Sequence, residues 1–190
     1  MKKVVIKSTI ITVLIITLFS VAFALIVTAF FPKYVADVNF KLGNEAATVK
    51  YSEKQYEKTL SQSDLATLVE RSIWAENDEM LIKYGAIFIN SENFSTYCKL
   101  KDDSYLYYIV TCYVKALYEN GQEQKGVETA FLNTSTYAET NPIRVVASLA
   151  IAEDNKDIVL LICTNLQARK DFSSQIIQND FALLQDFLNS

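Results

Sequence analysis

The sequence predicts an all-α protein, with one apolar N-terminal helix followed by short antiparallel helices. Three observations predict it. Glycine and proline together number 6 of 190 residues, about 3% against about 12% in average proteins, which disfavours turn-rich β architectures. Residues 8–31 carry no charge. Beyond them, apolar residues recur at helical spacing between four short polar breaks. Apolar residues make up 51% of the chain and charged residues 21%, a globular balance rather than a disordered one.

The first element is Ser8–Phe31, STIITVLIITLFSVAFALIVTAFF. As a helix at roughly 1.5 Å per residue it is about 36 Å long, enough to cross a hydrocarbon core of about 30 Å with some tilt. Core helices of soluble proteins rarely lack polar groups for so long. Ala22-Phe23-Ala24 has the small-x-small form of a signal-peptide cleavage site. Against cleavage, the run is longer than a signal-peptide core, and cutting there would expose LIVTAFF. An uncleaved anchor is therefore the expectation. Lys2, Lys3 and Lys7 precede the span, so residues 1–7 should form a cytoplasmic tail, with the rest outside a bacterial plasma membrane. Residues 32–190 carry 15 basic and 22 acidic side chains, a net charge of −7. That charge argues against nucleic acid as a partner.

The next elements lie between the breaks Leu42-Gly43-Asn44-Glu45, Glu76-Asn77-Asp78-Glu79, Asn120-Gly121-Gln122-Glu123 and Asp154-Asn155-Lys156-Asp157. Each has Gly or Asn in second place, residues that tolerate the left-handed conformation ending a helix. The interval from Gly43 to Asn77 equals that from Gly121 to Asn155, and the interval from Asn77 to Gly121 is longer by ten. A helix near Tyr34–Leu42 continues from the anchor. Tyr51, Tyr56 and Leu60 follow, then the stripe Leu65, Leu68, Val69, Ile73. Met80, Leu81, Tyr84, Ile87 and Phe88 mark another helix. The ten extra residues of the middle interval fall within Asn90–Ser104, as a loop or an added turn. Leu106, Ile109, Val110, Tyr113, Val114 and Leu117 form the next stripe. Asn141-Pro142 starts a helix well, since Asn caps and Pro suits the first turn. The last segment, Phe172–Leu188, has Asp171 as its expected cap.

Helix, tight break, helix, at a period of about 34 residues, resembles the tetratricopeptide repeat. The resemblance runs over about 70% of the chain, Tyr34–Ala168. Gly43-Asn44-Glu45-x-Ala47-x3-Tyr51 resembles the family's turn and the small-then-aromatic start of its second helix. Gly121-Gln122-Glu123, with Gly126, resembles the same feature, and Pro142 stands where a repeat ends. The family's Trp-x2-Leu-Gly-x2-Tyr start is not reproduced. The resemblance implies an α-solenoid of antiparallel helix pairs over residues 32–171, closed by a capping helix over 172–190. One pair cannot bury its apolar face alone, so neighbours complete the core. It also implies a concave groove lined by first-helix side chains thirteen, ten, six and three places before each turn. Those are Asp64, Thr67, Arg71 and Trp74, then Tyr108, Thr111, Lys115 and Tyr118. In the last unit they are Pro142, Val145, Leu149 and Ala152, an apolar set as a closing helix would cover.

Histidine is absent, which removes His-based triads, the usual zinc sites and a His pH switch. The four glycines are dispersed, so no phosphate loop exists. Acidic clusters at Glu76/Asp78/Glu79, Asp102/Asp103 and Glu153/Asp154/Asp157 sit at breaks or helix starts, where carboxylates satisfy free helix amides. Asp154-Asn155-Lys156-Asp157 lacks the later ligands and the glycine of a calcium loop. Cys98, Cys112 and Cys163 show no CxxC and no zinc spacing, and are read as small buried apolar residues; a Cys98–Cys112 bridge is left open. No cofactor, no metal and no catalytic residue is expected. The expected function is non-catalytic: an anchored scaffold holding a protein or peptide partner at the membrane, with the bilayer contacted through Ser8–Phe31. The alternative is an envelope sensor or carrier of a small peptide or other ligand. A carboxylate enzyme of the envelope stands third, and requires two acids converging in one cleft.

Overall fold

The computed structural model describes residues 2–102, 104–138 and 141–190, with side chains from Ile11 onward. Asp103 of the second acidic cluster lies outside the described residues, and the side chains of Lys2, Lys3 and Lys7 lie outside those described. The described residues form eleven helices and no strand. They group into two compact units, Met1–Ala75 and Glu76–Ser190.

The first unit holds α1 (Lys2–Phe30), α2 (Pro32–Lys41), α3 (Glu45–Thr59) and α4 (Gln62–Trp74). Within α1, Ile11–Phe30 has a mean hydropathy of 2.7 and none of it is buried, so by length and composition it suits a membrane anchor or a signal sequence. Pro32 separates α1 from α2, with Phe31 leaving helical conformation (φ −127°, ψ 52°); α1 and α2 are not one rod, because proline has no N–H to continue the ladder. α2 packs on α3, and α3 on α4, burying Ala36, Val49, Leu65, Leu68 and Val69. Lys58 Nζ of α3 donates to the Phe30 carbonyl at 3.0 Å, tying the end of α3 to the end of α1.

The second unit holds α5 (Asp78–Ile89), α6 (Phe94–Lys101), α7 (Tyr105–Glu119), α8 (Glu123–Asn133), α9 (Pro142–Ala152), α10 (Lys156–Gln167) and α11 (Gln175–Asn189). α7 is central, packed against α5, α6, α8 and α9. α8 also meets α9 and α10, α9 meets α10, and α11 packs on α10. Ile109, Val110, Val114 and Leu117 of α7 are fully buried. The extra residues of the middle interval agree with the added-turn alternative and not with the loop: they hold α6, a helix packed on α7. Its Phe94 and Tyr97 meet the buried Phe88 edge-on, with centroids 5.1 and 5.6 Å away.

The four breaks are interhelix turns, and their chemistry corrects the period. The residues in left-handed conformation are Gly43, Glu76, Gly121 and Asp154. At the second and fourth breaks the asparagine is not the left-handed residue. Asn77 and Asn155 have negative φ and accept the amides of Met80 and Ile158, three residues on. Asn44 caps α3 in the same way. Measured between the left-handed residues, the two outer intervals are therefore each one residue shorter than the asparagines suggest, and the middle one is one residue longer. A second correction concerns α11. Its N-cap is Ser174, while Asp171 is drawn into a two-point ion pair with Arg169 at 2.8 and 2.9 Å.

Candidate partner groove

The eight candidate groove residues fall into two sets with different fates, one in each unit. In the first unit, every candidate on α4 is engaged within the chain. Asp64 accepts from Thr59 Oγ1 at 2.7 Å and Gln55 Nε2 at 3.1 Å, while its own amide donates to Ser61 Oγ at 3.1 Å. Burial pushes its carboxyl up, but those hydrogen bonds and the nearby Lys33 hold it below the ordinary carboxylate value. Thr67 donates to the Ser63 carbonyl one turn back. Arg71 is ion-paired to Asp37 and donates to Ser52 Oγ at 2.9 Å, with its guanidinium over the Phe40 ring. Trp74 meets the edge of Phe40, centroids 4.8 Å apart. The cavity beside Arg71 holds only about 20 Å³.

In the second unit, the candidates on α7 line open space. Tyr108, Thr111 and Lys115 form one wall of a groove of about 810 Å³, and Val145 and Leu149 of α9 form the other. Their spacing of three and four residues puts them on one helix face. Lys115 lies 3.7 Å from Glu119 Oε1, an exposed pair one turn apart. Tyr118, the fourth candidate, is not in the groove. It is 2% exposed, and its hydroxyl is buried beside Glu153 and Asn155 without a hydrogen bond within 3.5 Å. The turn between α9 and α10 covers the end of α7 at this point. Val145 and Leu149 are not covered by the closing helix, because α11 packs on α10. Pro142 is buried, and Ala152 is exposed outside the groove lining.

Sequence reasoning missed Ser104, Tyr107, Asn141, Arg144 and Ser148, which also line the groove. Three of them were within reach. The same offsets counted back from Asp154, the true left-handed residue, give Asn141, Arg144 and Ser148. Arg144 faces two ways: it lines the groove and pairs with Asp180 of α11. Ser104 and Tyr107 stand four places before Tyr108 and Thr111, one turn back along the same face and beyond the counted offsets.

None of the groove's described lining residues is Asp or Glu. Among the described residues, no three His, Cys, Asp or Glu side chains converge on a point that could hold a metal ion. The cysteines are free thiols: Cys98 and Cys163 are buried and Cys112 is half-buried. Burial pushes the Cys98 thiol up to about 11 and raises the other two, which keeps them protonated and poorly nucleophilic at neutral pH.

Fold and site together define an all-helical chain with one exposed apolar N-terminal helix and an open groove between two helices of its second unit. In comparisons with protein-family models, curated proteins and solved structures, the chain matches none.

Proposed function

We infer that this chain is a membrane-anchored, non-catalytic interaction protein of the bacterial envelope, which holds a segment of a partner protein in the α7–α9 groove. The carrying observation is that groove: about 810 Å³, walled by Tyr107, Tyr108, Thr111, Val145 and Leu149, with Lys115 and Arg144 among its polar groups. Tyrosines give a large contact area with a polar tip, which suits a partner surface. Neighbouring contacts of α7 with α9, α8 with α9, and α8 with α10 support a tetratricopeptide-like stacking of helix pairs, whose first helices wall a common groove. The anchor reading rests on Ile11–Phe30, and the lysines before it favour a cytoplasmic N-terminus. Tethering raises the effective concentration of any partner confined to the same membrane.

A second reading, a carrier of a small peptide or other ligand, is favoured by the volume, which falls in the range of about 300–1,000 Å³ typical of ligand pockets. Photo-crosslinking in native membranes separates the two. A probe at Tyr108, with exposed Lys54 as control, should give one dominant protein adduct at Tyr108 alone. No adduct from a folded protein, together with a melting temperature that rises with added ligand, would replace the scaffold with the carrier.

A further inference from the structure

We propose that the first unit is seated on the bilayer surface by its α3–α4 turn, with Leu60, Phe31 and Tyr34 in the interfacial layer and the Lys58 ammonium at headgroup depth. This rests on the reading of α1 as a membrane span. Leu60 is the starting observation. It adopts the left-handed conformation (φ 52°) and is 73% exposed. Four other turns use that conformation, and they place Gly43, Glu76, Gly121 and Asp154 there. A leucine is disfavoured twice, by its Cβ in left-handed backbone and by its apolar surface in water. Neither the turn nor the packing of the unit needs it. An interfacial environment would use the side chain.

The position of the turn supplies the occupant. The uncharged run Ser8–Phe31 is bounded by Lys7 and Lys33 and is about 36 Å long as a helix, against a hydrocarbon core of about 30 Å, so the Phe30 carbonyl, at its C-terminal end, lies near the core edge. Lys58 Nζ sits 3.0 Å from that carbonyl, and Leu60 follows two residues later. Tyr34, 65% exposed, is three residues beyond Phe31, which is 59% exposed. Short chain connections hold all of them within reach of an interfacial layer roughly 5–8 Å deep. Lys33 reaches the same end, beside Gln55 and Asp64. Aromatic rings and lysine ammoniums at the end of a span are the groups that lie well between hydrocarbon and water. Charge permits the contact: residues 32–75 hold six basic and six acidic side chains, whereas residues 76–190 hold nine and sixteen. The acidic excess that an anionic leaflet would repel lies wholly outside this unit.

The test uses the full chain reconstituted in phosphatidylcholine vesicles, with an environment-sensitive fluorophore on Leu60→Cys. Tyr34→Cys reports on the same end independently. Leu42→Cys is the control, since Leu42 is 76% exposed at the opposite end of α2. Leu18→Cys reports on the span, and the unsubstituted chain gives the background from Cys112. Labels at 60 and 34 should be blue-shifted and quenched by headgroup-level nitroxide lipids, while the label at 42 stays in water. A label at 60 as aqueous as that at 42, with 18 quenched by deep nitroxides, would overturn the seat and leave the span standing. Equal quenching at 42 and 60 would overturn the choice of this end. An aqueous label at 18 would remove the span, and the proposal with it.

Discussion

The Arg144 guanidinium of α9 grips the Asp180 carboxylate of α11 at two points, Nε donating to Oδ2 at 2.5 Å and Nη2 to Oδ1 at 2.7 Å. Tyr137 adds a third donor, its hydroxyl reaching Oδ2 at 2.7 Å. Arg144 lies over one side of that ring and Arg169 also stacks on it, 6.0 and 5.7 Å from the centroid. Arg169 in turn donates to the Thr134 carbonyl at 2.9 Å. The segment between α8 and α9, the closing helix and one residue of the groove are thus held by a single cluster. Replacing Asp180 by Asn leaves one acceptor oxygen for three donors. Stability should fall by about 2 kcal/mol, seen in urea as a lower midpoint at unchanged slope. An unchanged midpoint would mean that apolar packing alone seats α11.

Alkaline pH should destabilise the protein from about pH 9 upward. Burial, then the hydrogen bond to Asp180 and its charge, raise the Tyr137 phenol; burial and the Glu153 charge raise Tyr118; burial takes Cys98 up to about 11. Each group holds its proton more tightly folded than unfolded. The contribution is therefore complete below the ordinary values, 9.0 for the thiol and 10.0 for the phenols, and is lost as pH rises through the folded ones. Tyr137→Phe should flatten the decline above about pH 10. Denaturation midpoints across that range would check it, and an unaltered slope would count against the shift.

Two glycines should fail to tolerate alanine for different reasons. At Gly121 (φ +72°) nothing lies within 4 Å of an added Cβ, so the cost is backbone strain alone, about 1 kcal/mol. At Gly85 the Cβ would stand 2.7 Å from Cδ2 of the buried Tyr113, and the overpacking should cost about 1–3 kcal/mol. Tyr113→Leu should partly rescue Gly85→Ala and leave Gly121→Ala unchanged in a double-mutant cycle. Equal rescue of both would refute the distinction.

Tyr118 and Tyr108 separate core from groove. Removing the unpartnered hydroxyl in Tyr118→Phe should raise stability by about 1 kcal/mol, whereas Tyr118→Ala should cost about 3–5 kcal/mol. Tyr108, half exposed, should change stability by less than about 0.5 kcal/mol on substitution by Ala while abolishing partner capture. Thermal unfolding of the three variants, read beside crosslinking, tests the assignment; a large stability loss at Tyr108 would place it in the core.

The helical class, the apolar first helix and the four breaks could be read from the chain, because they depend on chemistry within four residues; the turn at Leu60 and the start of α11 at Ser174 could not. An asparagine accepts an amide three positions on, a glycine relaxes a left-handed turn, and proline interrupts a ladder. The same local view misassigned Asn77 and Asn155 by one position, since a residue that caps and a residue that tolerates left-handed backbone share a composition. Burial was decided by residues far away in sequence. Tyr118 and Tyr108 belong to one helix and look alike in the chain, yet the α9–α10 turn covers the first and leaves the second beside open space. Val145 and Leu149 read as a covered surface but face the groove, because α11 docks on α10 and is gripped at Asp180 by the sequence-distant Arg144. Side-chain pairing over such distances follows from how the helices pack, and no period in the sequence carries it.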